Sequence, residues 1–292
     1  MAAPLIHAEG RVLAAVDASV YAESVARHAA WAATRLQSPL QFLHVLDRHP
    51  ETAPVADLSG NLALGARETL LLELAEVDAQ RSRLAQERGR ALLDEVRRLA
   101  GEQGATDASG LLRHGGLVDT LVELEPEVRL FVLGKRGEHA DFARGHLGGD
   151  LERVVRAVHR PLLVASRAFR PIARIAIAFD GSATTRKGVA MVAASPLFRG
   201  LPCDVVMAGR DDGAAREQLA WAQDTLADAG FTVETVLAAG DAEKVISAHV
   251  AEAGIDLLVM GAYGHSRIRT LIVGSTTTAM LRSCRIPVLL LR

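Results

Sequence analysis

An α/β fold, built as two parallel-sheet sandwiches in tandem, is what this sequence predicts, and three observations predict it. The chain repeats itself: "RVLAAVDAS" (Arg11–Ser19) matches "RIAIAFDGS" (Arg174–Ser182), "VRLFVLGKRGE" (Val128–Glu138) matches "IDLLVMGAYGH" (Ile255–His265), and "HRPLLVAS" (His159–Ser166) matches "RIPVLLLR" (Arg285–Arg292). Each matched piece is a short apolar run bounded by turn residues, the pattern of strands buried on both faces. Helix-length segments separate the runs, and strict alternation of strand and helix means parallel strands with right-handed crossovers and helices on both faces.

In the second half the alternation reads strand 174–180, helix 183–195, strand 203–208, helix 213–229, strand 231–237, helix 241–253, strand 256–261, helix 275–284 and strand 287–291. Gly230 stops the second helix, and Gly240-Asp241 opens the third, as expected of C- and N-terminal caps. Five strands per half give two Rossmann-like three-layer sandwiches, each around a five-stranded parallel sheet. The boundary falls near Ala168–Pro171, so the units are residues 1–169 and 170–292, joined almost without a linker.

The halves differ in length between matched landmarks. Asp17 to Gly134 spans 117 residues, whereas Asp180 to Gly261 spans 81. The surplus lies around Arg48–Ala100 and reads as a loop and a long helix, whose middle, Gln80–Arg90, is mostly polar and charged, as a solvated face would be.

Composition bounds the function. Of 292 residues 49% are apolar, and the net charge of -2 lacks the basic excess of a DNA binder. No run approaches the roughly 18 apolar residues of a membrane span, and the first residues lack the apolar core of a signal peptide, which points to the cytoplasm. Cys203 and Cys284 stand at strand edges and read as small buried thiols rather than a disulfide or metal pair.

In open parallel sheets, ligands bind beyond the carboxyl ends of the strands, where strand order reverses. Three features of half two converge there: Asp180 ends the first strand, Gly261 and Gly264 follow the fourth, and Gly274-Ser275 opens the next helix. Glycines bring backbone N–H groups against a ligand with no Cβ in the way. The helix start adds unpaired N–H groups, a dipole favouring an anion, and the hydroxyls of Ser275, Thr276 and Thr277. Asp180 is placed to accept hydrogen bonds from ribose hydroxyls, and His265, Arg267 and Arg269 between the glycines are candidates to steer a polyphosphate.

The arrangement resembles the universal stress protein family, whose nucleotide-binding members carry Gly-x2-Gly-x9-Gly-[Ser/Thr] after the fourth strand. Gly261, Gly264, Gly274 and Ser275 match that motif without a gap, and the resemblance covers the whole chain as a tandem of two domains. It implies the adenine nucleotide α-hydrolase-like form of the sandwich, with ATP as ligand, accompanied by Mg²⁺ held mainly by its phosphates. By the resemblance Asp180 meets the ribose and the main chain near Ala208 meets adenine. Met260 to Gly264 and Gly274 to Thr277 hold the phosphates. Domains of the family dimerise through their last strands, so the resemblance pairs Leu162–Ala165 with Val288–Leu291 inside this chain and leaves a homodimer open.

Half one departs from the motif. Pro161 and Pro287 align, and each follows a glycine by 13 residues, so Gly148, Gly149 and Asp150 stand where half two has Gly274, Ser275 and Thr276. Ten residues instead of nine separate Gly137 from Gly148. A carboxylate in the helix's first turn takes the anion's place and repels phosphate, so half one reads as a degenerate, mainly structural partner. Lys135, Arg136, Arg144 and His146 around its loop are candidates for another ligand.

No catalytic constellation is evident. There is no Gly-x-Ser-x-Gly elbow and no Gly-x4-Gly-Lys-[Ser/Thr] loop, and His44, His114 and His249 stand isolated. Slow ATP hydrolysis is the most chemistry the site suggests. Two other functions remain open: a scaffold or chaperone-like protein using the long helix, with nucleotide only structural, and an α-hydrolase cleaving between α- and β-phosphates. The latter would want a Ser-Gly-Gly-type loop where this chain has "DGSATT" (Asp180–Thr185).

Overall fold

The computed structural model describes residues 9–46, 64–137, 149–262 and 275–292, with the backbone alone for 64–71. Half one runs β1 (Arg11–Ala15), α1 (Ala22–Leu36), β2 (Leu40–Leu46), α2 (Leu64–Glu102), β3 (Ser109–His114), α3 (Leu117–Leu124), β4 (Val128–Gly134), α4 (Gly149–Ala157) and β5 (Leu162–Ala165). Half two runs β6 (Ile175–Ala178), α5 (Ala183–Ala194), β7 (Cys203–Ala208), α6 (Gly213–Asp228), β8 (Val233–Ala238), α7 (Ala242–Glu252), β9 (Leu257–Gly261), α8 (Ser275–Ser283) and β10 (Val288–Leu291).

The strands form one ten-stranded sheet in the order β3-β2-β1-β4-β5-β10-β9-β6-β7-β8. Within each half the neighbours are parallel, and order reverses beside the first strand, between β1 and β4 and again between β6 and β9. At the centre β5 and β10 run antiparallel, with Leu163 opposite Leu289, Val164 opposite Val288 and Leu162 opposite Leu290. Both prolines precede these strands, where a missing N–H disturbs no ladder bond.

Side chains alternate across the sheet and fill two cores. Val12, Ala14, Leu163, Ile175, Ile177 and Val259 face α1, α5, α6 and the C-terminal part of α2. Leu13, Leu162, Ala176, Leu258 and Met260 face α3, α4, α7 and α8. Each core continues from one half into the other, which gives three layers along the whole molecule.

Half two keeps its expected elements to within two or three residues. The first strand stops early, at Ala178 rather than 180, because the chain turns at Asp180, whose Oδ1 accepts from Ser182 N at 3.0 Å. The expected long helix of half one is α2, with 39 residues. Most of the loop expected before it lies outside the described residues.

Candidate functional site

Strands β6 and β9 are neighbours with Ile177 opposite Val259, so Asp180 and the Met260–Gly261 pair leave the sheet at the same edge. That edge is the carboxyl side of the strand-order reversal, where open parallel sheets bind ligands.

Asp180 is held in a fixed pose. Its Oδ1 accepts from Ser182 N at 3.0 Å and from the Thr185 hydroxyl at 2.7 Å, while the residue stays exposed. Ser182 caps α5 by accepting from Thr185 N. Between them Gly181 takes φ +73°, and a Cβ there would stand 1.7 Å from Gln218 Oε1, so only glycine fits without rearrangement. Arg186 closes the corner. Its Nε donates to Gly181 O at 3.2 Å, and its guanidinium lies 4.5 Å from the Trp221 ring centroid, which in turn stacks on Phe179.

Across the crevice, the Thr277 hydroxyl donates to Gly261 O at 3.0 Å and is buried. This bond ties the first turn of α8 to the end of β9. Thr277 thus donates its proton to the main chain, while Ser275 is exposed and Thr276 half-exposed. Met260 is buried, and Ala262 N donates to Leu291 O, anchoring the strand that precedes the loop. Ala208 ends β7 two residues beyond Val206, the last β7 residue registered with β6, and is half-buried. Gly264, His265, Arg267, Arg269 and Gly274 lie outside the described residues.

The matching corner of half one is built differently. Asp17 Oδ1 accepts from Ser19 N at 3.1 Å, as in half two. Where half two has Thr184, however, half one has Tyr21, and its side chain lies over Gly134: a Cβ on that glycine would stand 2.8 Å from Tyr21 Cβ. The glycine that ends β4 therefore lies under the chain's own aromatic side chain. A four-residue offset from each aspartate carries this difference in the sequence, and it is visible only once Tyr21 is known to fold over the strand end. Asp150 stands in the first turn of α4, with Arg153 Nη1 at 3.3 Å.

Lys135 corrects another expectation. Rather than serving a ligand of half one, it is buried and reaches into half two, donating to Cys284 O and, at 3.4 Å, to Ile286 O. Burial pulls the ammonium below its ordinary range. Arg292 makes the reverse crossing, donating to Arg156 O and Val158 O at the end of α4. Each half thus supplies a cation to the C-terminal end of the other half's last helix, where it complements the dipole.

One charged cluster escaped sequence reading. Asp204, buried within β7, accepts from Arg174 (Nη2 at 2.8 Å) and approaches His249 Nε2 at 2.7 Å, and Arg174 also reaches Glu234. An aspartate inside an apolar strand was the available signal. The cluster sits at the amino ends of the strands, opposite the crevice, and fully satisfies Asp204, so it braces the sheet. Burial pushes the Cys203 thiol up to about 12 and raises that of Cys284, which keeps both protonated. Among the described residues no His, Cys, Asp and Glu side chains gather as metal ligands, and no helix is long and apolar enough to cross a membrane.

Comparison with known proteins agrees with this construction. The model of the universal stress protein family matches residues 10–166 and again 171–292. Universal stress protein Slr1230 of Synechocystis is 36% identical over 284 residues, covering 96% of this chain and 99% of its own. A crystal structure of a universal stress protein from Archaeoglobus fulgidus aligns with TM-score 0.69 at 17% identity, covering 96% of this chain and 98% of that one. A functionally unknown protein, PA1789 of Pseudomonas aeruginosa, aligns with TM-score 0.60 at 16% identity over 97% of this chain and 93% of that one. Two matched units, one sheet of doubled topology and a full-length relative lead to one conclusion: the chain belongs to the universal stress protein family, as a tandem of two such units.

Proposed function

We propose that this protein binds ATP, at one site per chain, in the crevice of half two, and acts in the cytoplasm through the partners or conformations that occupancy selects. The observation that carries the reading is the contrast between equivalent corners. In half two a fixed, exposed Asp180 shares the carboxyl edge of the sheet with a helix start whose Ser275 is exposed and Thr276 half-exposed, tied to the strand end by Thr277 and preceded by an unbroken glycine spacing. In half one Tyr21 covers the corresponding glycine and Asp150 carries a negative charge into the helix's first turn.

The roles follow from chemistry. Asp180, oriented by Thr185, accepts from vicinal ribose hydroxyls. The first N–H groups of α8, with Ser275 and Thr276, donate to phosphate oxygens. The main chain at Ala208 offers the donor and acceptor a purine edge needs. Mg²⁺ would travel on the phosphates, since the crevice's only described carboxylate is committed to the sugar. Among the described residues of the crevice no side chain is placed to activate water, which favours binding with at most slow hydrolysis.

Photoaffinity labelling with azido-ATP, followed by peptide mapping, tests the assignment. Label confined to peptides from residues 170–292, and competed by unlabelled ATP, is the expected result. Equal labelling of both halves would refute it.

A further inference from the structure

We infer that α2 carries a homotypic docking surface, through which a second copy of this chain pairs antiparallel with the first. This stands apart from nucleotide binding, because the surface belongs to half one and lies away from the crevice's elements.

The C-terminal third of α2 packs onto its own domain with helical spacing: Gly89, Leu93, Val96 and Ala100 are buried. The preceding stretch does not pack on any described part of the molecule. Every residue from 72 to 84 is exposed, about 20 Å of bare helix at 1.5 Å per residue. It is not polar all round, as a merely solvated helix would be. Leu74, Val77 and Leu84 are 47%, 43% and 46% exposed and, with Arg81, recur at four- and three-residue spacing. At 100° per residue this stripe is rotated about 110° from the packed stripe, so extending the domain's own core would not cover it. A seam of that spacing is what a partner helix fills.

The charges identify the partner. Residues 72–80 carry Glu73, Glu76 and Asp78 and no Lys or Arg, a net of -3. Residues 81–90 carry Arg81, Arg83, Arg88 and Arg90 against Glu87, which is 4 − 1 = +3. A segment with equal and opposite halves is complementary to itself, but only head to tail, and a parallel copy would stack like on like. Antiparallel pairing about Ala79 sets Glu73, Glu76 and Asp78 opposite Ala85, Ser82 and Gln80, each within three residues of an arginine, and aligns the apolar stripe. Leu74 meets Leu84 of the second copy, and Val77 meets the aliphatic stem of Arg81, whose guanidinium then lies beside Asp78 across the seam. The contact is isologous and closes as a two-fold dimer. Because so short a seam buries less than the roughly 1,600 Å² of a standard interface, the dimer is weak, in the micromolar range, and sensitive to salt.

Sedimentation velocity on the full chain at low salt, from about 1 to 300 μM, is the test. Wild type shifts from monomer to dimer across that range. The triple variants Glu73→Arg/Glu76→Arg/Asp78→Arg and Arg81→Glu/Arg83→Glu/Arg88→Glu each make both ends of the seam alike, so each alone stays monomeric, with a dissociation constant raised at least tenfold. An equimolar mixture of the two restores dimer, which neither a folding defect nor general charge loss would do. A wild type that remains monomeric at 300 μM, a dimer unaffected by either triple, or a mixture that stays monomeric overturns the inference.

Discussion

At the residue scale, the two strand-ending aspartates start from matched sequence and acquire different neighbours. Asp180 is held by Ser182 N and the Thr185 hydroxyl, whereas in half one Tyr21 lies over Gly134. No local pattern announces this, since it depends on a ring folding onto a strand more than 100 residues away in sequence. His28 gives the residue scale its pH dependence. It is fully buried against Phe169 at the joint between the halves; its Nδ1–H donates to Ser24 O at 2.7 Å, which leaves Nε2 bare, while the Ser24 hydroxyl holds Ser166 O. Burial lowers its pKa to about 4 from 6.5, with the bond to Ser24 opposing. The folded state therefore takes up the proton less readily than the unfolded one. Stability is full above pH 6.5 and falls as pH drops toward 4, by up to about 3 kcal/mol. Urea unfolding at pH 7.5 and 4.5 should show that loss, and the His28→Gln variant should show a smaller one. An unchanged pH dependence in the variant would remove His28 as the cause.

At the scale of elements, α8 couples the crevice to the joint between halves. Its first turn is tied to β9 through Thr277, and its last carbonyls receive Lys135 from half one. Removing the Thr277 hydroxyl takes from the Gly261 carbonyl its buried donor, which costs about 1–2 kcal/mol and loosens the helix start of the proposed phosphate site. Thr277→Val should therefore lower the melting temperature by several degrees and weaken ATP binding several-fold, as thermal denaturation and calorimetry would read. Intact affinity alongside reduced stability would show that the tie does not shape the site. Element positions were the most legible part of this sequence. Helix α6 begins at Gly213 as read, and Gly230 and Asp241 mark helix ends because caps act locally. Glycine spacing carried the family resemblance for the same reason. The destination of Lys135 was illegible, because it is set by a contact spanning 149 positions.

At the scale of the molecule, the two sandwiches share one sheet, and its centre is the antiparallel seam between β5 and β10. Either strand alone would be a wholly apolar edge, a hazard that mutual pairing removes. Leu289 is 1% exposed at the middle of that seam, so Leu289→Glu places an unpaired carboxylate where no water reaches. Loss of more than about 3 kcal/mol of stability, or outright aggregation, is expected in chemical denaturation. A variant as stable as wild type would mean the halves are not held there in solution. The same antiparallel seam sends the carboxyl edges of the two halves in opposite directions, and the proposed ATP site lies at that of half two alone. Isothermal titration calorimetry with Mg·ATP on ligand-stripped protein measures that asymmetry most directly. One site per chain, abolished by Ser275→Asp and retained in Asp17→Ala, is the predicted result; two equivalent sites, or binding that survives Ser275→Asp, would contradict it.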